Sequence, residues 1–311
     1  MKLGATFNLF DNEELLEKSC LAVRKFCHYI CVVWQDTSNF GQKHPNPRLK
    51  EFYDSLLKKN IINELIYYKP KIFTPEEKRK LVSKSYTGDP TQILDQFCNE
   101  ITKREIGRLH CFKNGCTHFM SMDADEFYLP EQMTHAMSEI EKNNYDMTAC
   151  RMRIIFKKST LEYYPYDDLN AVTFICKIIP NGAHRIDEPC PVVLDPTRKI
   201  TNVKKFHMFK REELEMFHMS FIRKNMRLKL ENTSNKHNIG DMEEFLVKFN
   251  MWDDTMMDVV VHPHPIVSQQ FKEIRKVPNY FSVNLDDMCQ VCCITDDLVT
   301  VKGKKYCQDC K

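Results

Sequence analysis

The sequence predicts an α/β protein: a mostly parallel, mixed sheet flanked by helices, with a small cysteine-rich module at its C-terminal end. Three observations predict it. Strand-like and helix-like segments alternate through roughly the first 120 residues, the pattern of strand–helix crossovers. A chain of 311 residues is long enough to bury a sizeable core without disulfides. Five of the 14 cysteines crowd into residues 289–310, apart from nine scattered between Cys20 and Cys190.

The elements follow in order. Residues 2–9 read as a buried strand. Asp11 or Asn12 then caps a helix, with Glu13 and Glu14 in the first turn where the helix dipole favours acids. Leu16, Cys20, Val23 and Cys27 follow at spacings of four, three and four, a single apolar face. Residues 29–34 form a short β-branched and aromatic run, a second strand. Residues 35–47 make a polar loop, and Leu49, Phe52, Tyr53, Leu56 and Leu57 mark the next helix. Residues 65–68 read as a third strand, residues 90–116 as a long helical stretch, and residues 117–122 as a fourth strand. A further helix runs from Pro130 to about residue 144. Strand-like runs at 152–156 and 172–178 come next, then a loop over 181–201 rich in proline and charge. Residues 212–230 are expected to be helical.

Composition narrows the function. Hydrophobic residues make up 42% and charged residues 28%, and the formal net charge is +2, which argues against a protein that coats nucleic acid. Neither GxGxxG nor GxxxxGK[ST] occurs among the 8 glycines, so the dinucleotide fingerprint and the phosphate loop are missing. No apolar run approaches a membrane span or a signal peptide, so a cytoplasmic protein is expected. In a reducing compartment the scattered cysteines read as small buried hydrophobes.

The chemistry is expected at the end of the fourth strand, where an open α/β sheet binds its ligands. There an apolar run ends in Asp123-Ala124-Asp125-Glu126. In extended backbone the carboxylates of Asp123 and Asp125 point to one side. Paired hard oxygen ligands suit Mg2+ or Mn2+, whose shell substrate phosphates complete. The plainer reading is acids that cap the following helix or sit in water.

Residues 3–128 resemble the nucleotide-sugar-binding half of GT-A glycosyltransferases, particularly the family 2-like group. Four pieces carry the resemblance: Phe7-Asn8-Leu9-Phe10-Asp11-Asn12-Glu13, Val32-Val33-Trp34-Gln35-Asp36-Thr37-Ser38, Arg104 and Arg108 with Asn114-Gly115, and Met122-Asp123-Ala124-Asp125-Glu126-Phe127. A fifth, Phe217-His218-Met219-Ser220-Phe221-Ile222-Arg223, is similar to a stretch found late in many such transferases. The second-strand loop lacks the usual second Asp, and the Arg-Asn pair is not intact. The resemblance implies a GT-A, Rossmann-like domain over residues 1–250, with a donor half at 1–128 and an acceptor half at 129–250. A connector would follow at 251–285. It further implies a metal-dependent glycosyltransferase moving a sugar from a nucleotide-sugar donor, a UDP-sugar by preference, to a glycan or protein hydroxyl. Asp123, Asp125 and His218 would hold Mn2+ or Mg2+. Asn8, Asp36, Arg104, Arg108, Asp123 and Arg223 would contact the donor, with Asp36 facing the base. No nucleic acid partner is expected.

An inverting enzyme also needs a general base for the acceptor hydroxyl. Asp187, Glu188 and Asp195, in the 181–201 loop, are the candidates. A retaining enzyme would need none, so both stereochemical outcomes stay open. Two rival functions do as well: a nucleotidyltransferase on a related sheet, and an inactive transferase-like adaptor.

The sharpest spacing is C-terminal. Cys289 and Cys292 form one CxxC, and Cys307 and Cys310 a second, fourteen residues on. Two such knuckles suit a closed, tetrahedral structural zinc site, and residues 286–311 resemble a zinc ribbon or treble clef. A redox thiol pair or an unstructured tail are the alternatives.

Overall fold

A computed structural model describes all residues except 169, 234–235, 289–297, 302 and 311. Its first half runs β1 (Leu3–Leu9), α1 (Glu13–Arg24), β2 (Tyr29–Trp34), α2 (Leu49–Lys58), β3 (Glu64–Tyr67), α3 (Pro75–Arg79), α4 (Asp95–Lys113) and β4 (His118–Met122). β1 is the hinge of this half: it pairs in parallel with β2 on one side and with β4 on the other, and β3 extends the sheet beyond β2. Every residue of β1 is buried because helices cover both faces. On one face Phe7 and Leu9 join Leu16, Cys20 and Val23 of α1 in the main core. The other face meets α4 closely. A β-carbon on Gly107 would come within 1.8 Å of Thr6 Oγ1, so only glycine lets α4 lie this near β1.

The second half runs β5 (Glu126–Tyr128), α5 (Pro130–Asn143), β6 (Met147–Ile154), β7 (Leu161–Tyr164), β8 (Ala171–Lys177), β9 (Phe206–Met208) and β10 (Glu215–His218). It continues through α6 (Met226–Asn232), α7 (Met242–Met251), α8 (Pro265–Ser268), β11 (Glu273–Lys276), β12 (Leu298–Val301) and β13 (Lys304–Cys307). The central sheet has the order β3-β2-β1-β4-β8-β6-β10-β5, with β9 added beside β6. It is the expected α/β architecture: parallel through its first four strands, mixed beyond β4, where β8 runs antiparallel.

Two expectations need correction. Residues 212–230 are not one helix. Glu215–His218 form a strand between β6 and β5, with Met216 and Phe217 both buried on opposite faces, and only Met226–Asn232 are helical. Two-sided sheet pairing overrides the helical spacing of this stretch. Likewise the strand expected at 152–156 is β6, begun five residues earlier at Met147.

Residues 251–285 contribute to the body of the protein. β11 pairs with β7, and Trp252, Val261, Phe271 and Ile274 join an aromatic core around Phe156 and Tyr163. At the C-terminal end β12 and β13 form a hairpin, and Arg48 Nη1 donates to Cys307 Sγ at 3.3 Å. Cys289 and Cys292 lie outside the described residues, and with them half of the expected zinc site. No described helix is long and apolar enough to cross a membrane.

Candidate functional site

β1 and β4 end side by side, and the chain leaves them in opposite directions. A cavity of about 310 Å³ opens at this point. Its walls come from the segments that follow β1, β2 and β4, from α4, from Asp195 and Thr197 in the long loop, and from His218, Arg223 and Lys229. This is the crevice that a change in strand order creates at the carboxyl edge of a parallel sheet.

Asp123 and Asp125 both line it, but not as an extended pair. The backbone turns directly after β4, with Glu126 N–H donating to Asp123 C=O at 3.2 Å, and the two carboxylates find different partners. The turn exists because Glu126 must enter β5, paired there with His218 of β10.

Each carboxylate is met by its own cations. Arg198 donates to Asp123 Oδ2 at 2.7 Å and Arg104 to Asp123 Oδ1 at 3.2 Å. Arg198 also holds Glu126 and donates to Ser121 C=O at 2.9 Å, while Arg104 donates to Ser121 Oγ at 2.9 Å. On the other side Arg223 donates to Asp125 Oδ2 at 2.6 Å and to Asp11 Oδ2 at 3.0 Å. Lys229 Nζ stands 3.5 Å from the same Asp125 oxygen and His218 Nε2 3.7 Å from it. Burial raises the Asp125 carboxyl most, yet Lys229, His218 and Arg223 together outweigh it and hold the group well below the carboxylate range. For Asp123 too burial is the largest influence, and Arg104 and Arg198 overcome it to lower the group. Glu126 goes the other way: burial raises it beyond what Arg198 restores. Lys229 is pulled down, by burial first and by Arg223 second.

Two buried amides complete the wall. Asn8 finds no hydrogen-bond partner for Nδ2 or Oδ1 among the described residues, and neither does Gln35 Oε1, although Gln35 Nε2 donates to Asn39 Oδ1 at 3.1 Å. Buried polar groups in folded proteins are nearly always satisfied, so these atoms await a ligand or water.

The structure therefore brings together Asn8, Arg104, Asp123, Asp125, Asp195, His218 and Arg223 of the residues expected from sequence. Asp36 is turned to Thr37, Tyr67 and Lys43 and does not line the cavity. Arg108, one turn further along α4 than Arg104, is held by Glu105 and does not line the cavity. Asp187 and Glu188 lie in the loop beyond, where the Asp187 carbonyl accepts from Ser83 Oγ. Sequence reasoning missed Arg198, Lys103 and Gln35. The one available signal was Asp195-Pro196-Thr197-Arg198, a proline-started turn that puts an acid and a base three apart.

The donor set does not fit a divalent cation shared by Asp123, Asp125 and His218. Arg104 and Arg198 engage the oxygens of Asp123, Arg223 engages Asp125 Oδ2, and no three His, Cys, Asp or Glu side chains among the described residues group to hold a metal.

No family model and no curated protein matches the chain. Several solved structures resemble it weakly. S. aureus TarS 1–349 in complex with UDP shares 14% identity over 51% of this chain and 37% of its own, with a TM-score of 0.30. S. aureus TarS shares 12% over 83% of this chain and 45% of its own, with a TM-score of 0.38. The mannosyltransferase Ktr4p from S. cerevisiae shares 10% over 50% of this chain and 40% of its own, with a TM-score of 0.26. This chain thus spans less than half the length of each of these three. Likenesses at this level say nothing of what it acts on.

Proposed function

We propose that the chain is a glycosyltransferase that takes a sugar from a nucleoside diphosphate sugar, a UDP-sugar by preference, and passes it to a hydroxyl of a glycan or protein. One observation carries this reading: Lys103, Arg104, Arg223 and Lys229 line a single cavity at the carboxyl ends of β1 and β4, beside the Asp123–Asp125 turn. Cationic donors at that place suit a diphosphate. The unsatisfied amides of Asn8 and Gln35, in the same cavity, suit a polar planar group such as a base.

In the transfer, the bond from the sugar C1 to the diphosphate oxygen breaks and its electron pair stays on the diphosphate. The acceptor oxygen bonds to C1, and its proton passes to a carboxylate. Of the three acids expected for that role, Asp195 lines the cavity, and we assign it the proton. A structural zinc held by Cys289, Cys292, Cys307 and Cys310 belongs to the same proposal and rests on their spacing.

The test is a screen of nucleoside diphosphate sugars for hydrolysis and transfer, each run with Mn2+, with Mg2+ and with EDTA. Turnover of at least one donor is expected. Nucleoside diphosphate binding without turnover would leave an inactive adaptor, and no binding of any donor would refute the proposal.

A further inference from the structure

We propose that Lys229, backed by Arg223, carries the charge of the leaving diphosphate, so that the donor is bound and used without a divalent cation. This rests on the transferase reading above.

The case is one of which charges are already spent. Arg223 is clamped, with one guanidinium nitrogen on Asp11 at 3.0 Å and another on Asp125 at 2.6 Å. Glu100 lies 3.3 Å from Lys103 and 3.0 Å from Arg104. Arg198 and Arg104 take Asp123. Lys229 is the more open of the two cavity lysines. Its side chain is 21% exposed on the cavity wall, against 3% for Lys103, and its ammonium meets Asp125 Oδ2 only at 3.5 Å. An ammonium carries three donors and no acceptor. A mostly buried one on a cavity wall is poised for an anionic ligand.

The arrangement also explains the acids. In this reading Asp11 and Asp125 are positioning residues. Asp125 fixes Arg223 and holds Lys229 Nζ 3.5 Å away on the cavity wall. As the C1–O bond breaks, negative charge grows on the diphosphate oxygen. A fixed ammonium beside it stabilises that charge with no ion to recruit, which is the use of a preorganised site.

Binding separates the possibilities. The full-length protein is stripped with EDTA and titrated calorimetrically with UDP, GDP and the matching monophosphates, then again with Mn2+ added. Diphosphate affinity should change by less than about three-fold between the two conditions. Lys229→Ala should weaken diphosphate binding by about ten-fold or more and monophosphate binding less, since one charge-assisted contact is lost. Lys229→Arg should recover most of it, which guards against a merely misfolded alanine variant. Diphosphate binding that vanishes in EDTA and returns with Mn2+ would overturn the inference while upholding the transferase reading. So would a Lys229→Ala protein that binds UDP and GDP as tightly as the wild type. Binding of no nucleotide under either condition would overturn both.

Discussion

Arg198→Met is the severest test of how this site is held together. Arg198 is 3% exposed and bridges two carboxylates, Asp123 at 2.7 Å and Glu126, itself 2% exposed. Methionine fills much of the space but leaves Glu126 buried without its positive partner, beside the like charges of Asp123 and Asp125. Removing one partner of a buried ion pair costs about 3–5 kcal/mol, because the remaining charge is stranded. Against a total of roughly 5–15 kcal/mol for a folded domain, that is a large share. The loss depends on pH in a fixed direction. Burial already raises Glu126 above its usual 4.5. Without Arg198 it rises further, so the folded variant binds a proton that the unfolded chain has released. The stability of the variant therefore falls as pH rises through the window above 4.5, and its deficit is largest in alkali. Urea unfolding at pH 5, 6.5 and 8 reads this directly. A deficit under about 1 kcal/mol at pH 8, or one equal at pH 5 and pH 8, would refute the argument. The double variant Arg198→Met with Glu126→Gln should regain at least half of the loss at pH 8, which keeps the test informative if the single variant fails to fold.

Two further outcomes are expected. Glu105 accepts from the backbone N–H of His184 at 3.0 Å and from Arg108 Nε at 2.9 Å, tying the 181–201 loop to α4. Burial raises its carboxyl, but the bonds to His184 and Arg108 prevail and hold it at about 2. A depressed acid stabilises the fold above its unfolded value and loses that effect as pH falls through its folded value. Glu105→Gln should therefore cost about 1–3 kcal/mol near neutrality, and the gap to wild type in urea should close between about pH 4.5 and pH 2; a gap unchanged over that range would refute the account. The purified protein should also carry one zinc per chain by elemental analysis, reduced by Cys307→Ser, and a metal-free preparation with four titratable thiols at these cysteines would rule the zinc site out.

The first half of the fold was readable because its signals are local. β1, α1, β2, α2 and β4 each bury a face whose spacing appears within a dozen residues, as with Leu16, Cys20 and Val23 against Phe7 and Leu9. The acid pair was readable for the same reason: it ends an apolar strand. What escaped was set by pairing at a distance. Glu215–His218 looked like part of a helix, since nothing in four residues reveals that β6 and β5 will flank them. Arg198 reaches Glu126 across 72 positions and Arg223 reaches Asp125 across 98, and no local pattern links them. The turn at residues 123–126 escaped too, because its cause is the pairing of β5 with β10 and not the composition of the turn.

That turn explains how one short acidic stretch governs both sides of the cavity. Asp123 looks back to α4 and to the 195–198 turn through Arg104 and Arg198. Asp125 looks forward to α6 and the end of β10 through Arg223, Lys229 and His218. Had the backbone stayed extended, both carboxylates would have faced one point, and their mutual repulsion would have needed a cation between them. By turning, the chain gives each acid separate basic partners and leaves the space between to a ligand. The acids then act as the frame on which the cations are mounted, which is why Lys229, more exposed than Lys103 and met by Asp125 only at 3.5 Å, is the one left to meet an incoming anion.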